Sequence, residues 1–243
     1  MNIVLTGGWG YGNLGDDAIL SSTITILKDV YPKSTFIVLT YDPIDSKEHK
    51  EDGVELFRSA HSYMDLGSSE LMYKKIGKKY TFINKVILKI KQKLVETKLW
   101  NRRANYQRRA KQLAKTIENA DLLIMCGGGY FNENWISSTY SHLYELEIAK
   151  DLNIPYNIAG PTLGIYKDKN LRKKVNDALL KSTKIYVRDN SSYENLINSN
   201  IKATLIPDVA LTRFSNNESN TQAQFVLGIV INNKSKDFIN YIA

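Results

Sequence analysis

Five short apolar runs, each followed closely by glycine, proline or charge, constrain this chain more than any other feature. Ile3-Val4-Leu5-Thr6 leads into Gly7-Gly8-Trp9-Gly10-Tyr11-Gly12-Asn13-Leu14-Gly15, and Leu122-Leu123-Ile124-Met125 leads to Gly127-Gly128-Gly129. The run from Tyr156 to Ala159 precedes Gly160-Pro161, Ile185-Tyr186-Val187 precedes Arg188-Asp189, and Thr204-Leu205-Ile206 precedes Pro207-Asp208. Phe36 to Thr40 and Val54 to Arg58 are two further strand-sized runs. Helices are expected between them, from about Asp16 to Tyr31, Thr139 to Asp151, Asn170 to Leu180, and after Asp189. Strands of four or five apolar residues alternating with helices predict an α/β fold, a Rossmann-like parallel sheet with helices on both faces. Ligands of such sheets sit beyond the carboxyl ends of the strands, so the five punctuated ends define a single rim.

The composition fits an ordinary globular chain: 243 residues, 43% hydrophobic and 24% charged. One cysteine, Cys126, forms no internal disulfide, and three histidines suggest no zinc site, so neither a metal nor a cofactor is expected. No apolar run is long enough for a membrane-spanning helix, and Met1 to Gly8 does not read as a secretory signal. A cytoplasmic location is the expectation.

The net charge of +8 is unevenly placed. From Met72 to Lys115 there are fifteen Lys and Arg against one acid, Glu96, so the remainder of the chain is net acidic. Phe82, Ile83, Val86, Ile87, Ile90 and Leu94 recur at helical spacing, as do Tyr106, Ala110, Leu113, Ala114 and Ile117. A basic helical insert at about 72–118 has two readings. It docks on the inner face of an anionic membrane, or its stripes pack on the core and its lysines face water. No nucleic-acid motif accompanies the charge, so nucleic acid is not an expected partner.

A polar stretch, 214–224, reads as a linker closing a first domain of residues 1–213. Phe225 to Ile231 then starts a new buried strand, and the chain stops at Ala243. The expectation is a truncated second domain at 225–243.

Gly10-Tyr11-Gly12-Asn13-Leu14-Gly15 also fits the G-x-G-x-x-G dinucleotide fingerprint between strand and helix. Asp16 and Asp17 occupy the helix start where a pyrophosphate would sit, and the ribose-binding acid is displaced to Asp42. These features argue against NAD. In the plainer alternative the glycines permit a tight turn and Asp16 caps the helix.

Gly12-Asn13-Leu14-Gly15-Asp16-Asp17-Ala18-Ile19-Leu20 resembles the N-terminal signature of the polysaccharide pyruvyl transferases. Gly127-Gly128-Gly129-Tyr130-Phe131 is similar to that family's triple-glycine motif, and Gly160-Pro161 to part of its glycine-proline motif, although Thr162-Leu163-Gly164 replaces the usual ending. Val187-Arg188-Asp189-Asn190-Ser191-Ser192 and Pro207-Asp208-Val209-Ala210 resemble its V-R-D-x-x-S and P-D elements. The resemblance implies the N-terminal half of a GT-B-like two-domain fold. It also implies transfer of pyruvate from phosphoenolpyruvate onto two hydroxyls of a sugar, in a cell-surface polysaccharide or its lipid-linked precursor. A chain lacking the second domain is expected to be inactive alone. A non-catalytic carbohydrate-binding domain is the alternative from another class, and an NAD-dependent enzyme is the third.

Such chemistry needs two anionic groups held and protons taken from two hydroxyls. Arg188 at a strand end suits a bidentate anion clamp, or else a structural ion pair. Asp16 and Asp17 are the candidate bases, or else part of a helix cap. With Arg188 they make the catalytic set. The binding set is Gly12, Asn13, Gly15, Gly127, Gly128, Gly129, Tyr130, Gly160, Pro161, Ser192 and Asp208. Within it the triple glycine offers backbone N–H groups, while Ser192 and Asp208 either bind or fix the local backbone. His142, among Leu143, Leu146 and Ile148, reads as packing before acid, and His61 carries no functional signal.

Overall fold

The computed structural model describes residues 1–43, 53–61 and 104–212. These lie in the first of two units, which divide after Arg213. The expected linker and second-domain strand lie outside the described residues, as does most of the basic insert.

Seven parallel strands form one sheet: β1 (Asn2–Thr6), β2 (Thr35–Thr40), β3 (Val54–Arg58), β4 (Leu122–Phe131), β5 (Tyr156–Leu163), β6 (Lys184–Val187) and β7 (Thr204–Leu205). Their order is β3-β2-β1-β4-β5-β6-β7. The helices among the described residues are α1 (Leu14–Val30), α2 (Ala104–Glu118), α3 (Ile136–Asp151), α4 (Lys169–Lys181) and α5 (Asn190–Asn198). This is the Rossmann-like parallel sheet expected from the alternation.

Side chains alternate across the pleat, and the alternation separates two cores. Ile3, Leu5, Leu122, Ile124 and Cys126 face Leu20 and Ile24 of α1. Val4, Leu123 and Met125 face the opposite cluster, which takes Leu146 of α3, Val175 and Leu179 of α4, and Leu196 of α5. Strand order runs outward from β1 in both directions, and right-handed crossovers then place the helices of the two halves on opposite faces. The chain after β1 and the chain after β4 therefore lead to helices on opposite faces, which makes the β1–β4 boundary the topological switch point of the sheet.

Leu113 and Ile117 of α2 are fully buried in the second core cluster. For this part of the basic insert the apolar stripe packs on the core. The first stripe, Phe82 to Leu94, lies outside the described residues, as do Lys74, Lys75, Lys78 and Lys79.

Two strands are longer than expected. β4 continues through the triple glycine to Phe131 and β5 through Gly160-Pro161 to Leu163, with Gly128 opposite Pro161 in the ladder. The physical reason is close approach. A Cβ on Gly127 would lie 2.9 Å from the carbonyl oxygen of Gly160, so the bare backbone lets the strands stay paired. The register shifts only between Gly128 and Phe131.

Candidate functional site

The loop after β1 folds around its aromatic residues. Trp9 is buried, and its indole N–H donates to the Leu39 carbonyl at 2.8 Å. Gly10 and Gly12 both have positive φ, 97° and 67°, and between them they turn Tyr11 outward. Asn13 then caps α1, its side-chain oxygen accepting from the Gly15 N–H at 3.0 Å. The cap is thus Asn13, and Asp16 is not needed for it. The other end of the Asn13 amide donates to Asp16 at 2.8 Å.

Asp16 and Asp17 sit side by side in the first turn of α1. Partial burial pushes the Asp16 carboxyl up to about 6. The Arg188 guanidinium works against this, the neighbouring Asp17 adds to it, and the Asn13 amide opposes it. Arg188, almost at the other end of the described chain, is therefore electrostatically in reach of Asp16.

Arg188 follows β6. Its Nε donates to Thr162 Oγ1 at 3.1 Å, and its Nη1 pairs with Asp208 at 2.5 Å. Arg188 and Asp208 side chains remain 19% and 32% exposed. Asp208 also accepts from the Ala210 N–H at 3.0 Å, which fixes a short 3-10 turn at Val209–Leu211. That turn packs against α1. The segment after β7 thus returns along the rim toward the first helix and carries Asp208 with it.

Ser192 is placed where it fixes the local backbone. It is fully buried, its hydroxyl accepts from the Leu163 N–H at 2.8 Å, and it donates to Asp189 at 2.8 Å. Burial works against the Asp189 carboxylate, but hydrogen bonds from Ser192 and Thr162 and the charge of Arg188 hold it below its ordinary range.

The triple glycine divides its labour. Gly128 has φ 141°, and a Cβ there would collide with the Tyr130 ring. Tyr130 is itself buried, with its hydroxyl donating to the Cys126 carbonyl. Gly129 is exposed, and a Cβ there would meet no atom within 4 Å. Gly129 is therefore the member with open space beside it, while Gly127 and Gly128 serve strand and ring packing. Gly160, with φ 78°, and Pro161 continue β5 beside them.

A buried polar cluster lies beneath this rim, and sequence reasoning missed most of it. Glu145 on α3 is fully buried; its Oε1 accepts from the Ala60 N–H at 2.7 Å and its Oε2 from the Thr6 hydroxyl. His142, one turn earlier and equally buried, places Nδ1 3.3 Å from Glu145 Oε2 and 3.1 Å from Thr6 Oγ1. Its Nε2 faces the Tyr41 hydroxyl at 3.5 Å, and Tyr41 donates to Ser138 at 3.2 Å. His61 stacks on Tyr41 with ring centroids 4.1 Å apart. Burial, with the field of His142, pushes His61 down to about 3. The available signal was the spacing of His142 and Glu145, two polar residues on the buried face of one helix. Among the described residues no three His, Cys, Asp or Glu side chains gather as a metal site would require.

The family model for polysaccharide pyruvyl transferase matches residues 13–242. No curated protein matches the sequence. Among solved structures, a UGT transferase from Siraitia grosvenorii in complex with UDP aligns at 8% identity and a TM-score of 0.39, over 85% of this chain. The chain spans 47% of that protein's length. Among the described residues no helix is long and apolar enough to cross a membrane.

Proposed function

The chain belongs to the polysaccharide pyruvyl transferase family, and we propose on that premise that its rim serves pyruvyl transfer from phosphoenolpyruvate onto a sugar. The observation that carries this reading is the placement at one rim of the Asp16 carboxyl, in the first turn of α1, and the Arg188 guanidinium, held by Thr162 and by the Asp208 whose turn packs on α1. A carboxyl titrating at about 6 lies within the field of a guanidinium anchored at the end of β6. A base with a pKa near the working pH removes a hydroxyl proton efficiently. A planar guanidinium on a half-open site grips a carboxylate or phosphate.

The reaction balances as follows. A proton adds to the methylene carbon of phosphoenolpyruvate, and a sugar hydroxyl oxygen bonds to the central carbon. Phosphate leaves, and a second hydroxyl closes the cyclic ketal. The two hydroxyl protons end on the new methyl group and on phosphate. In this scheme Asp16 takes a hydroxyl proton, with Asp17 beside it. Arg188 holds the donor anion, and Asp208 orients Arg188. Asn13 positions Asp16, and Gly129 leaves room for the sugar. Gly12 and Gly15 shape the loop that brings these groups to the rim.

The acceptor in this reading is a cell-surface polysaccharide or its lipid-linked precursor. The lysine-rich stretch from Met72 to Lys115 supports docking on an anionic leaflet, where such a precursor would be presented. In this reading the described residues correspond to the N-terminal half of a GT-B-like fold.

The test is calorimetric titration of phosphoenolpyruvate into the chain. Arg188→Ala should weaken binding by about ten- to a hundredfold, the loss of one charge-assisted pair. Equal binding by wild type and Arg188→Ala, or a response to NAD in place of phosphoenolpyruvate, would overturn the assignment.

A further inference from the structure

We propose that Tyr11 is a stacking platform for a sugar ring of the acceptor, a role that rests on the transfer reading above and names the group that would select its substrate. Tyr11 is 61% exposed, yet its side chain is held. Its ring leans on Tyr41 with centroids 4.8 Å apart, and its hydroxyl lies 3.1 Å from His61 Nε2. His61 in turn stacks on Tyr41 and presents its edge to Tyr11 at 6.1 Å. An exposed tyrosine on a loop normally trades such order for rotamer freedom. Here contacts with Tyr41 and His61, among the described residues, hold it while much of its surface stays exposed.

The support is dependable because burial keeps His61 neutral at any ordinary pH. The hydrogen bond to Tyr11 therefore does not depend on a histidine charge. The backbone supplies the rest. Positive φ at Gly10 and Gly12 on either side turns Tyr11 out of the loop, five positions before Asp16. This gives the glycine-rich loop a task that neither a tight turn nor a helix cap explains.

A pyranose has apolar faces of C–H groups and an edge of hydroxyls. It is recognised by an aromatic face for the former and by carboxylate and amide groups for the latter. Tyr11, Asp16, Asp17 and Asn13 provide that combination within seven residues of chain. A nucleotide base would also stack on a tyrosine, but its phosphates would face the two carboxylates. The charge favours the neutral sugar.

Saturation-transfer NMR on the whole chain tests this, with methyl β-D-galactopyranoside, methyl β-D-glucopyranoside and adenosine monophosphate as probes. Wild type should saturate the C–H protons of one face of a glycoside. Tyr11→Ala should weaken that binding about tenfold, the scale of one stacking contact. Tyr11→Leu keeps Tyr41 covered but lacks the flat ring, and should lose the same signal at an unchanged melting temperature. Phosphoenolpyruvate binding should be untouched in both variants. No transfer to either glycoside, equal transfer in wild type and Tyr11→Leu, or a stronger signal from the nucleotide would each overturn the proposal. Sugar stacking without phosphoenolpyruvate binding would sink the pyruvyl-transfer reading and leave Tyr11 standing, whereas the converse would sink Tyr11 alone.

Discussion

Glu145 and Asp208 are both carboxylates close to the carboxyl edge of one sheet, yet they live in opposite surroundings. Glu145 is wholly buried beneath the ends of β1 and β3, and both its oxygens are committed to Ala60, Thr6 and His142. Asp208 is 32% exposed and holds a guanidinium that also remains partly in water. A sealed polar group must be paired within the protein, because an orphaned one forfeits its hydration without return. A half-open ion pair can exchange partners with an incoming anion at little cost. Beneath β1 and β3 the Glu145 carboxylate is sealed and paired, whereas the β6–β7 side carries an ion pair still open to water.

The largest effect that breaks this contrast is expected from Glu145→Ala. It leaves the Ala60 N–H, the Thr6 hydroxyl and His142 Nδ1 without their carboxylate in a site closed to water. The loss should be about 3–5 kcal/mol, as for removing one partner of a buried pair. For a domain of this size that lowers the melting temperature by about 10 °C. Asp208→Ala should cost about 1 kcal/mol or less. Thermal and denaturant unfolding of the two variants compare the sides directly, and similar losses from both would erase the distinction.

Gly128→Ala and Gly129→Ala repeat the comparison within three residues of chain. Alanine at 128 takes a left-handed backbone and drives a methyl into the Tyr130 ring, which should cost about 2–3 kcal/mol. Alanine at 129 meets open space and should change stability by less than about 0.5 kcal/mol. Any loss at position 129 should appear as weaker ligand binding, because the methyl occupies the rim. A stable Gly128→Ala would mean that Tyr130 can leave its seat under the glycines.

Much of this architecture was legible in the sequence, and what was hidden has a common cause. Apolar runs of four or five residues reported the strands, because a buried parallel strand has no polar face to interrupt it. The glycines and Arg188 marked the rim because their types suit strand ends. The pairing of β4 and β5 past their glycines was not legible, since it depends on how closely two backbones approach. The Glu145–His142–Thr6 cluster was equally hidden: its members are 139 positions apart at the widest, and only the sheet brings them together. Helix spacing placed His142 on a packed face but not against a carboxylate. His61 looked like a loop residue because its burial comes from Tyr41 and Ser141, on other elements.

Acidification should separate the two sides more gently, with opposite signs. His61 titrates at about 3 in the fold against an ordinary 6.5, so the unfolded chain takes up its proton first. The stability it contributes is present above pH 6.5 and is lost as pH falls toward 3. Asp16 titrates at about 6 against an ordinary 3.8, so here the folded chain binds the proton more readily. Its contribution is full below about pH 4 and disappears as pH rises through 6. Between pH 6 and 4 the two oppose each other, and the more deeply buried His61 should dominate. Wild type should then lose stability across that window, Asp16→Asn should lose it more steeply, and His61→Asn should reverse the slope, gaining a little stability as pH falls because Asp16 then acts alone. Asp16 is only partly buried, so its share is the smaller and is best read at the group itself. Carbon-detected NMR of the Asp16 carboxyl should give a midpoint near 6 in wild type and a higher one in Arg188→Ala, where the opposing cation is gone. A midpoint near 4 in both proteins would mean that Asp16 is an ordinary solvated carboxylate, which would remove the base proposed for the rim along with its contrast to the sealed cluster below.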